Sequence, residues 1–244
     1  MRRLSAGEVL DAWEAGRDQH PLDRALTLLA AASPGTPRAT LAALSVAERD
    51  ARLLELRAAM LGPQLPAFTP CPACGERLEM TLDSGELGVR DAPPGPGPWD
   101  ASVGGMEFRF RLPDSRDLAA VAECASAEEG RRLLAERCVL AARRGGREVA
   151  AAELTDDEVS ALSEAMGEVA PNAEVVLALS CPACGEAWSA LLDVEAFFWA
   201  ELSVRARRVL REVDALARAY GWSEREILSL PPRRRRSYLE LVEG

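Results

Sequence analysis

The hexapeptide Cys-Pro-Ala-Cys-Gly-Glu occurs twice, at residues 71–76 (the first turn) and 181–186 (the second turn), and it constrains the fold more than any other feature. Such a turn directs two thiolates to one side, and the glycine after the second cysteine permits a positive φ, so that backbone amides can face the sulfurs. Two turns supply the four thiolates of a closed tetrahedral zinc site. We therefore expect one structural Zn²⁺ per chain. Its predicted ligands are the four cysteines of the turns, Cys71, Cys74, Cys181 and Cys184.

Other roles exist for a Cys-X-X-Cys pair, namely redox activity, a disulfide or a site that has lost its metal. Redox pairs of the thioredoxin type lie between a strand and a helix, whereas strand-like sequence precedes and follows both turns here. A structural metal is therefore the favoured interpretation. The sequence leaves open whether the two turns bind the metal within one chain or between two chains.

The remaining metal-ligand candidates are two cysteines and the only histidine. Cys124 and Cys138 lie on predicted helices among Ala, Val and Leu, which favours small buried apolar side chains. His20 precedes Pro21 where a helix begins, and we interpret it as a surface or capping residue.

The repeat extends beyond the turns, since Leu82-Asp83 of the first copy matches Leu192-Asp193 of the second. Each turn is followed by a predicted short strand, and residues 173–180 predict a strand before the second turn. Neither copy can bury a face alone, so we expect the two to meet around one metal as a split zinc ribbon. The metal would then join segments separated by more than 100 residues.

Five Ser/Thr-x-x-Glu capping boxes and the apolar periodicity predict most of the helices. The capping boxes predict helices at about 5–16, 45–61, 126–143, 155–169 and 223–229. Pro21 opens a further helix, 21–32, and another starts at 114–117. A long helix runs through Phe198 to Tyr220, and a short one begins at Pro231. Residues 106–112 alternate as a half-buried strand does, and the proline-rich segment 92–98 predicts a loop or hinge.

These elements predict an α+β fold, a split four-Cys zinc ribbon with a small β region flanked by N-terminal and C-terminal helices. We divide the chain into an N-terminal helical region (1–65), a zinc-ribbon β region (66–193) and a C-terminal helical tail (194–244). The middle region contains a mixed α/β insertion at about 89–172.

The formal net charge is −10, from 29 basic and 39 acidic residues. This charge argues against broad binding to nucleic acids or anionic membranes. The run Arg233–Arg236 is interpreted as a solvated helical turn or a docking patch for an acidic protein. No apolar stretch is long enough for a leader or a membrane span, so we expect a cytoplasmic protein.

Catalytic motifs are missing from the sequence, which has no P-loop, no nucleophile elbow and no dinucleotide-binding glycine pattern. A four-Cys zinc site is coordinatively closed and does not activate water. We therefore predict that the chain is not an enzyme.

The C-terminal segment 215–242 carries Tyr-Gly-Trp, Ile-Leu-Ser-Leu, the arginine run and Tyr-Leu-Glu-Leu in that order. Together with the paired turns and Arg-Leu-Pro-Asp-Ser-Arg-Asp at 111–117, it resembles the T-even-type phage baseplate hub assembly family, as found in phage-tail-like contractile injection systems. The resemblance covers most of the chain.

The resemblance implies a non-enzymatic structural or assembly (chaperone-like) protein of the baseplate hub, with baseplate or hub proteins as partners. It would lie in the cytoplasm or in an assembled particle. The tail residues gain a predicted partner-binding role from it: Tyr220, Trp222, Arg233, Arg234, Arg235, Arg236 and Tyr238. Trp199 joins them because three consecutive aromatic residues, 197–199, cannot all face one side of a helix. The alternatives are a zinc-ribbon nucleic-acid-binding regulatory protein and a thiol oxidoreductase.

Overall fold

A computed structural model describes residues 1–87, 97–171 and 173–243 of the chain. This part contains ten α-helices and three small antiparallel sheets. The helices are α1 (Ala6–Gly16), α2 (Pro21–Ala32), α3 (Arg38–Ala42), α4 (Val46–Leu61), α5 (Ser115–Val121), α6 (Ala127–Cys138), α7 (Asp156–Val169), α8 (Val194–Tyr220), α9 (Glu224–Ser229) and α10 (Pro232–Glu243). The predicted α+β class is confirmed.

The strands form a four-stranded sheet and two separate hairpins. They are β1 (Gln64–Pro70), β2 (Arg77–Asp83), β3 (Trp99–Val103), β4 (Met106–Phe110), β5 (Val139–Arg144), β6 (Arg147–Glu148), β7 (Val176–Ser180) and β8 (Ala187–Leu191). The sheet has the order β3-β4-β5-β6, while β1 pairs with β2 and β7 with β8.

All five predicted helix starts are confirmed by their caps. In each, the hydroxyl of the capping residue accepts a hydrogen bond from the backbone N–H three residues later, at 3.1–3.4 Å. The capping residues are Ser5, Ser45, Ser126, Thr155 and Ser223. His20 caps α2 as predicted, since its Nδ1 accepts from the Leu22 N–H at 3.3 Å.

Two expectations about elements were wrong, and one short helix was not predicted. The helix predicted at 126–143 ends at Cys138, because Val139–Arg144 pairs with β4 as strand β5. Cys124 is not on a helix but lies in the connection between α5 and α6, where it is half-buried, whereas Cys138 is buried as predicted. The short helix α3 was missed, since no side chain caps it. The loop predicted at 92–98 lies outside the described residues except for its last two.

Two apolar cores organise the described chain. The first joins α1–α4 and the first half of α8, with Leu28, Leu53 and Phe198 almost completely buried at its centre. The second lies between the four-stranded sheet and α7. The N-terminal region and the start of the predicted tail therefore share one core. The proposed three-region division stays a prediction.

The Arg-Leu-Pro-Asp-Ser-Arg-Asp segment at 111–117 forms an ionic network around two buried carboxylates, those of Asp114 and Asp117. Asp117 is fully buried and accepts from Arg111 at 2.5 and 2.8 Å and from Arg137 at 2.8 Å. Burial raises the pKa of Asp117, but the hydrogen bonds from Arg111 outweigh it and the pKa falls to about 2. The neighbouring Pro113 carbonyl accepts from the Val46 N–H at 2.9 Å, which links the segment to α4.

Candidate metal centre

Each cysteine turn forms the tip of a two-stranded hairpin. The first turn connects β1 to β2 directly after the pair Pro70–Arg77, and the second connects β7 to β8 after the pair Ser180–Ala187. We call these the first and the second hairpin. The expectation of a strand after each turn is confirmed.

The two turns have the same backbone geometry. The N–H of the first cysteine donates to the glutamate carbonyl at 2.8 Å, and the glycine N–H donates to the carbonyl of the first cysteine at 2.9 Å, in both copies. Gly75 and Gly185 have φ values of 75° and 77°, a region that L side chains rarely adopt. The repeated glycine is therefore needed by the turn itself.

The four sulfur atoms lie together at the tips of the hairpins. The Sγ atoms of Cys71 and Cys184 are 3.7 Å apart, and those of Cys74 and Cys181 are 3.6 Å apart. All four lie within 4.8 Å of one another. The first cysteine of each turn thus faces the second cysteine of the other, as a twofold arrangement of the repeat produces. Cys71 and Cys181 are buried, while Cys74 and Cys184 are exposed.

This donor set fits a tetrahedral metal ion. Four sulfurs at the usual zinc–sulfur distance of about 2.3 Å are about 3.8 Å apart along the edges of a tetrahedron. The two shortest separations across the hairpins are close to that value. They are far longer than a disulfide bond of about 2.05 Å, and all six cysteines are free thiols. Soft thiolates in a tetrahedron suit zinc or iron.

Hydrogen bonds within the cluster shift the pKa values of its thiols. Burial raises the pKa of Cys71, but hydrogen bonds from the backbone N–H groups of Cys74 and Ala73 outweigh it and lower the pKa to about 7. The Glu76 N–H lowers the pKa of Cys74, but the neighbouring thiols, led by Cys184, raise it to about 12. A metal cation beside the sulfurs would favour their thiolate forms.

Both hairpins are anchored in the first core at the ends of their repeats. Leu65 of β1 is fully buried there, and the matching residues Leu82 and Leu192 pack against the same core. Asp193 then caps α8, since its carboxylate accepts from the Ala196 N–H at 3.0 Å. Leu82 and Leu192, which correspond in the repeat, thus both pack their hairpin against the helices of the first core.

The predicted partner-binding aromatics of the tail lie together. The rings of Tyr220 and Trp222 stack with centroids 4.6 Å apart, and the Tyr238 ring meets the Trp222 ring edge-on at 4.9 Å. The cluster links the end of α8 to α10. Trp199 lies elsewhere, where the Arg24 guanidinium covers its ring at 5.0 Å and Gly16 lies against it. The partner-binding roles stay predictions.

The arginine run is divided between two environments. Arg235 is buried, and its Nε donates to Glu212 of α8 at 3.0 Å. Arg233, Arg234 and Arg236 are exposed. The run is therefore not one continuous surface, because a helix turns by about 100° per residue.

Sequence reasoning did not identify Arg57, a buried cation beside the first hairpin. Its guanidinium donates to Glu201 at 2.6 and 2.9 Å and to the Gly62 carbonyl at 2.6 Å, which joins α4 to α8. Only the pairing partner, 144 positions away, would have indicated it.

In the described part of the chain, no helix combines the length and apolar character needed to cross a membrane.

A family model described as T4 bacteriophage base plate protein matches residues 17–199. The match spans 183 of the 244 residues (199 − 17 + 1) and includes both hairpins with all four cysteines. It stops within α8, before the tail aromatics and the arginine run. Comparison with curated proteins and with solved structures gave no match.

Proposed function

The chain belongs to the T4 bacteriophage base plate protein family, and on this premise we propose that it is a structural or assembly (chaperone-like) protein of the baseplate hub of a phage-tail-like contractile injection particle. The proposal includes a non-enzymatic role and one structural zinc ion per chain. The protein would act in the cytoplasm during assembly or remain in the particle.

The observation that carries this proposal is the four-thiol cluster inside the region that the family model matches. In the proposed zinc ribbon, one ion holds together two hairpins that come from distant parts of the chain. Both hairpins rest on the first helical core, so the ion would stiffen the base from which the hairpins extend. Rigidity of this kind suits a scaffold that contacts other subunits.

A non-enzymatic role is supported by the chemistry of the proposed site. Four thiolates complete the tetrahedral coordination of zinc, so that no position remains for water or substrate. The protein would act through its surfaces, and the tail with Tyr220, Trp222, Tyr238 and Arg233–Arg236 belongs to the proposed partner surface.

Co-sedimentation from the native host tests the proposal. The tagged chain is expected to pellet with sheath, tube and hub proteins, which supports a structural component. If it stays in the light fraction bound to one hub or baseplate subunit, it is an assembly chaperone. If mass spectrometry finds it with neither, the baseplate role is wrong.

The matched variant for this experiment is Cys71→Ser, with Cys124→Ser as the control. Only the first removes a proposed metal ligand, whereas Cys124 lies far along the chain in a half-buried connection. Loss of co-sedimentation in the first variant alone would tie the particle association to the metal site.

A further inference from the structure

A basic cleft of about 670 Å³ lies between β1, α4, α8 and α10. Its charged lining is dominated by five arginines from three helices, Arg57, Arg205, Arg208, Arg235 and Arg236. Such a concentration of positive charge is unexpected in a chain whose formal net charge is −10. The arginine run contributes only its last two members to this cleft.

Two glutamates also line the cleft, and both already accept hydrogen bonds from arginines of the cleft. Glu201 accepts two hydrogen bonds from Arg57, at 2.6 and 2.9 Å. Glu212 accepts from Arg235 at 3.0 Å and from Arg208 at 3.1 Å. Five guanidinium groups against two carboxylates give the cleft a formal charge of +3 (5 − 2).

Two of these guanidinium groups, those of Arg205 and Arg236, have no carboxylate partner among the described residues. The Nε of Arg205 is buried and has no hydrogen-bond partner among the described residues. Burial lowers the pKa of Arg205, and the nearby charge of Glu212 opposes this shift while those of Arg235 and Arg208 add to it. An arginine nevertheless stays protonated, and Arg205 is only half-buried and forms no ion pair among the described residues, so the accessible part of its guanidinium can bind an incoming anion. Arg236 is exposed and forms no ion pair within the described part of the chain.

Apolar side chains lie beside these arginines. Leu61, Pro66, Val209 and Pro232 line the cleft, and Val204 exposes 64% of its surface there. A ligand that satisfies the whole cleft therefore combines carboxylates with apolar groups, as a protein segment does. No aromatic side chain is among the described residues that line the cleft, which leaves the cleft without a stacking platform for bases.

We propose that this cleft binds an acidic, partly apolar segment of another baseplate subunit. Arg205 and Arg236 bind the carboxylates of the segment, and Val204 contacts its apolar side chains. The inference rests on the proposed function, since it names the surface through which the chain meets its partner.

The test compares full-length variants expressed in the native host. Arg205→Gln combined with Arg236→Gln is expected to reduce the captured baseplate or hub subunit by about tenfold. The matched control is Arg207→Gln combined with Arg225→Gln, which removes two exposed arginines that lie outside the cleft and outside the proposed partner surface. The control is expected to capture as much subunit as the wild type.

Val204→Glu provides a second variant that keeps every arginine. Because Val204 is largely exposed, we expect the substitution to leave the fold intact, which thermal melting checks. The new carboxylate should compete with the partner for the arginines of the cleft and so lower the amount of captured subunit. A benzophenone amino acid at the same position is expected to cross-link to a segment that carries Asp or Glu beside apolar residues.

The outcomes separate the two proposals. If the wild type captures no baseplate or hub subunit, the proposed function fails and this inference fails with it. If the wild type and the Arg205/Arg236 variant capture equal amounts, only this inference is wrong. Binding to a short fluorescent DNA duplex that is lost in the variant, or a cross-link to nucleic acid, would also overturn it.

Discussion

The Sγ atom of Cys71 lies 3.7 Å from the Sγ atom of Cys184, although 113 positions separate the two residues in the chain. The second such pair, Cys74 and Cys181, repeats the relationship at 3.6 Å. The two copies of the cysteine turn thus contribute to one cluster of four sulfur atoms. The closure of so long a loop is unfavourable in the unfolded chain, so a metal that stabilises it contributes to folding.

Loss of one proposed ligand is expected to destabilise the protein strongly. Cys71→Ser should lower the melting temperature by about 10 °C and lower the bound metal per chain, because a weak oxygen donor replaces a thiolate. Cys124→Ser should change neither. Scanning calorimetry together with metal analysis measures both effects, and equal melting temperatures for the two variants would contradict the proposed metal site.

The buried network at 111–117 predicts a second stability effect. Asp117→Asn should reduce the free energy of unfolding by about 3 kcal/mol, because it removes the buried carboxylate charge that Arg111 and Arg137 share. Asp156→Asn is the control, since Asp156 pairs with Arg132 at the exposed surface and should cost less than about 1 kcal/mol. Urea unfolding distinguishes the two, and similar values for both would refute the assignment.

Glu195 in the first turn of α8 predicts a pH dependence. It is buried, and neither carboxylate oxygen has a partner among the described residues. Burial, with a contribution from Asp193, raises the pKa of Glu195 from 4.5 to about 7, although Arg24 and Arg49 act in the opposite direction. Asp50 adds a further small repulsion.

The sign follows from the raised pKa. The folded protein binds the proton more tightly than the unfolded chain does, so stability falls as the pH rises from 4.5 to about 7 and is level above that. Glu195→Gln should therefore increase the free energy of unfolding by about 1–3 kcal/mol at about pH 8 and remove this decline. Chemical unfolding across that range measures it. A variant less stable than the wild type at high pH would show that the carboxylate is needed.

Two glycines predict opposite responses to alanine. A Cβ on Gly16 would overlap the ring of Trp199, so Gly16→Ala should destabilise the protein by about 1–3 kcal/mol. Gly167 lies in α7 with open space around it, so Gly167→Ala should stabilise by about 0.5–1 kcal/mol. Thermal unfolding of the pair tests whether Trp199 packs on α1, and a stabilising Gly16→Ala would show that it does not.

The features that local sequence predicted are those that local chemistry controls. The caps at Ser5 and Thr155 and the strand after each cysteine turn depend on neighbours within a few residues. The proximity of the four cysteines was also predictable, because a metal site requires it and the turn is repeated. The family resemblance rested on the C-terminal segment 215–242, the two cysteine turns and residues 111–117, and the family match over residues 17–199 confirms membership.

The features that sequence missed depend on distant partners. Val139–Arg144 carries helix-forming residues, yet it becomes a strand because β4 offers a pairing edge. The buried role of Arg235 depends on Glu212 and on the return of α10 along α8. The basic cleft needs four elements that are separate in the chain, so no local pattern around Arg205 could indicate it.

The metal content of the purified monomer tests the central claim most directly. Native mass spectrometry after chelator-free purification, with elemental analysis and a visible spectrum, should show a colourless monomer with one zinc ion per chain. Treatment with a chelator should release that ion and lower the melting temperature. A monomer that carries no metal, or a metal found only in dimers, would contradict a structural zinc held by Cys71, Cys74, Cys181 and Cys184 of one chain.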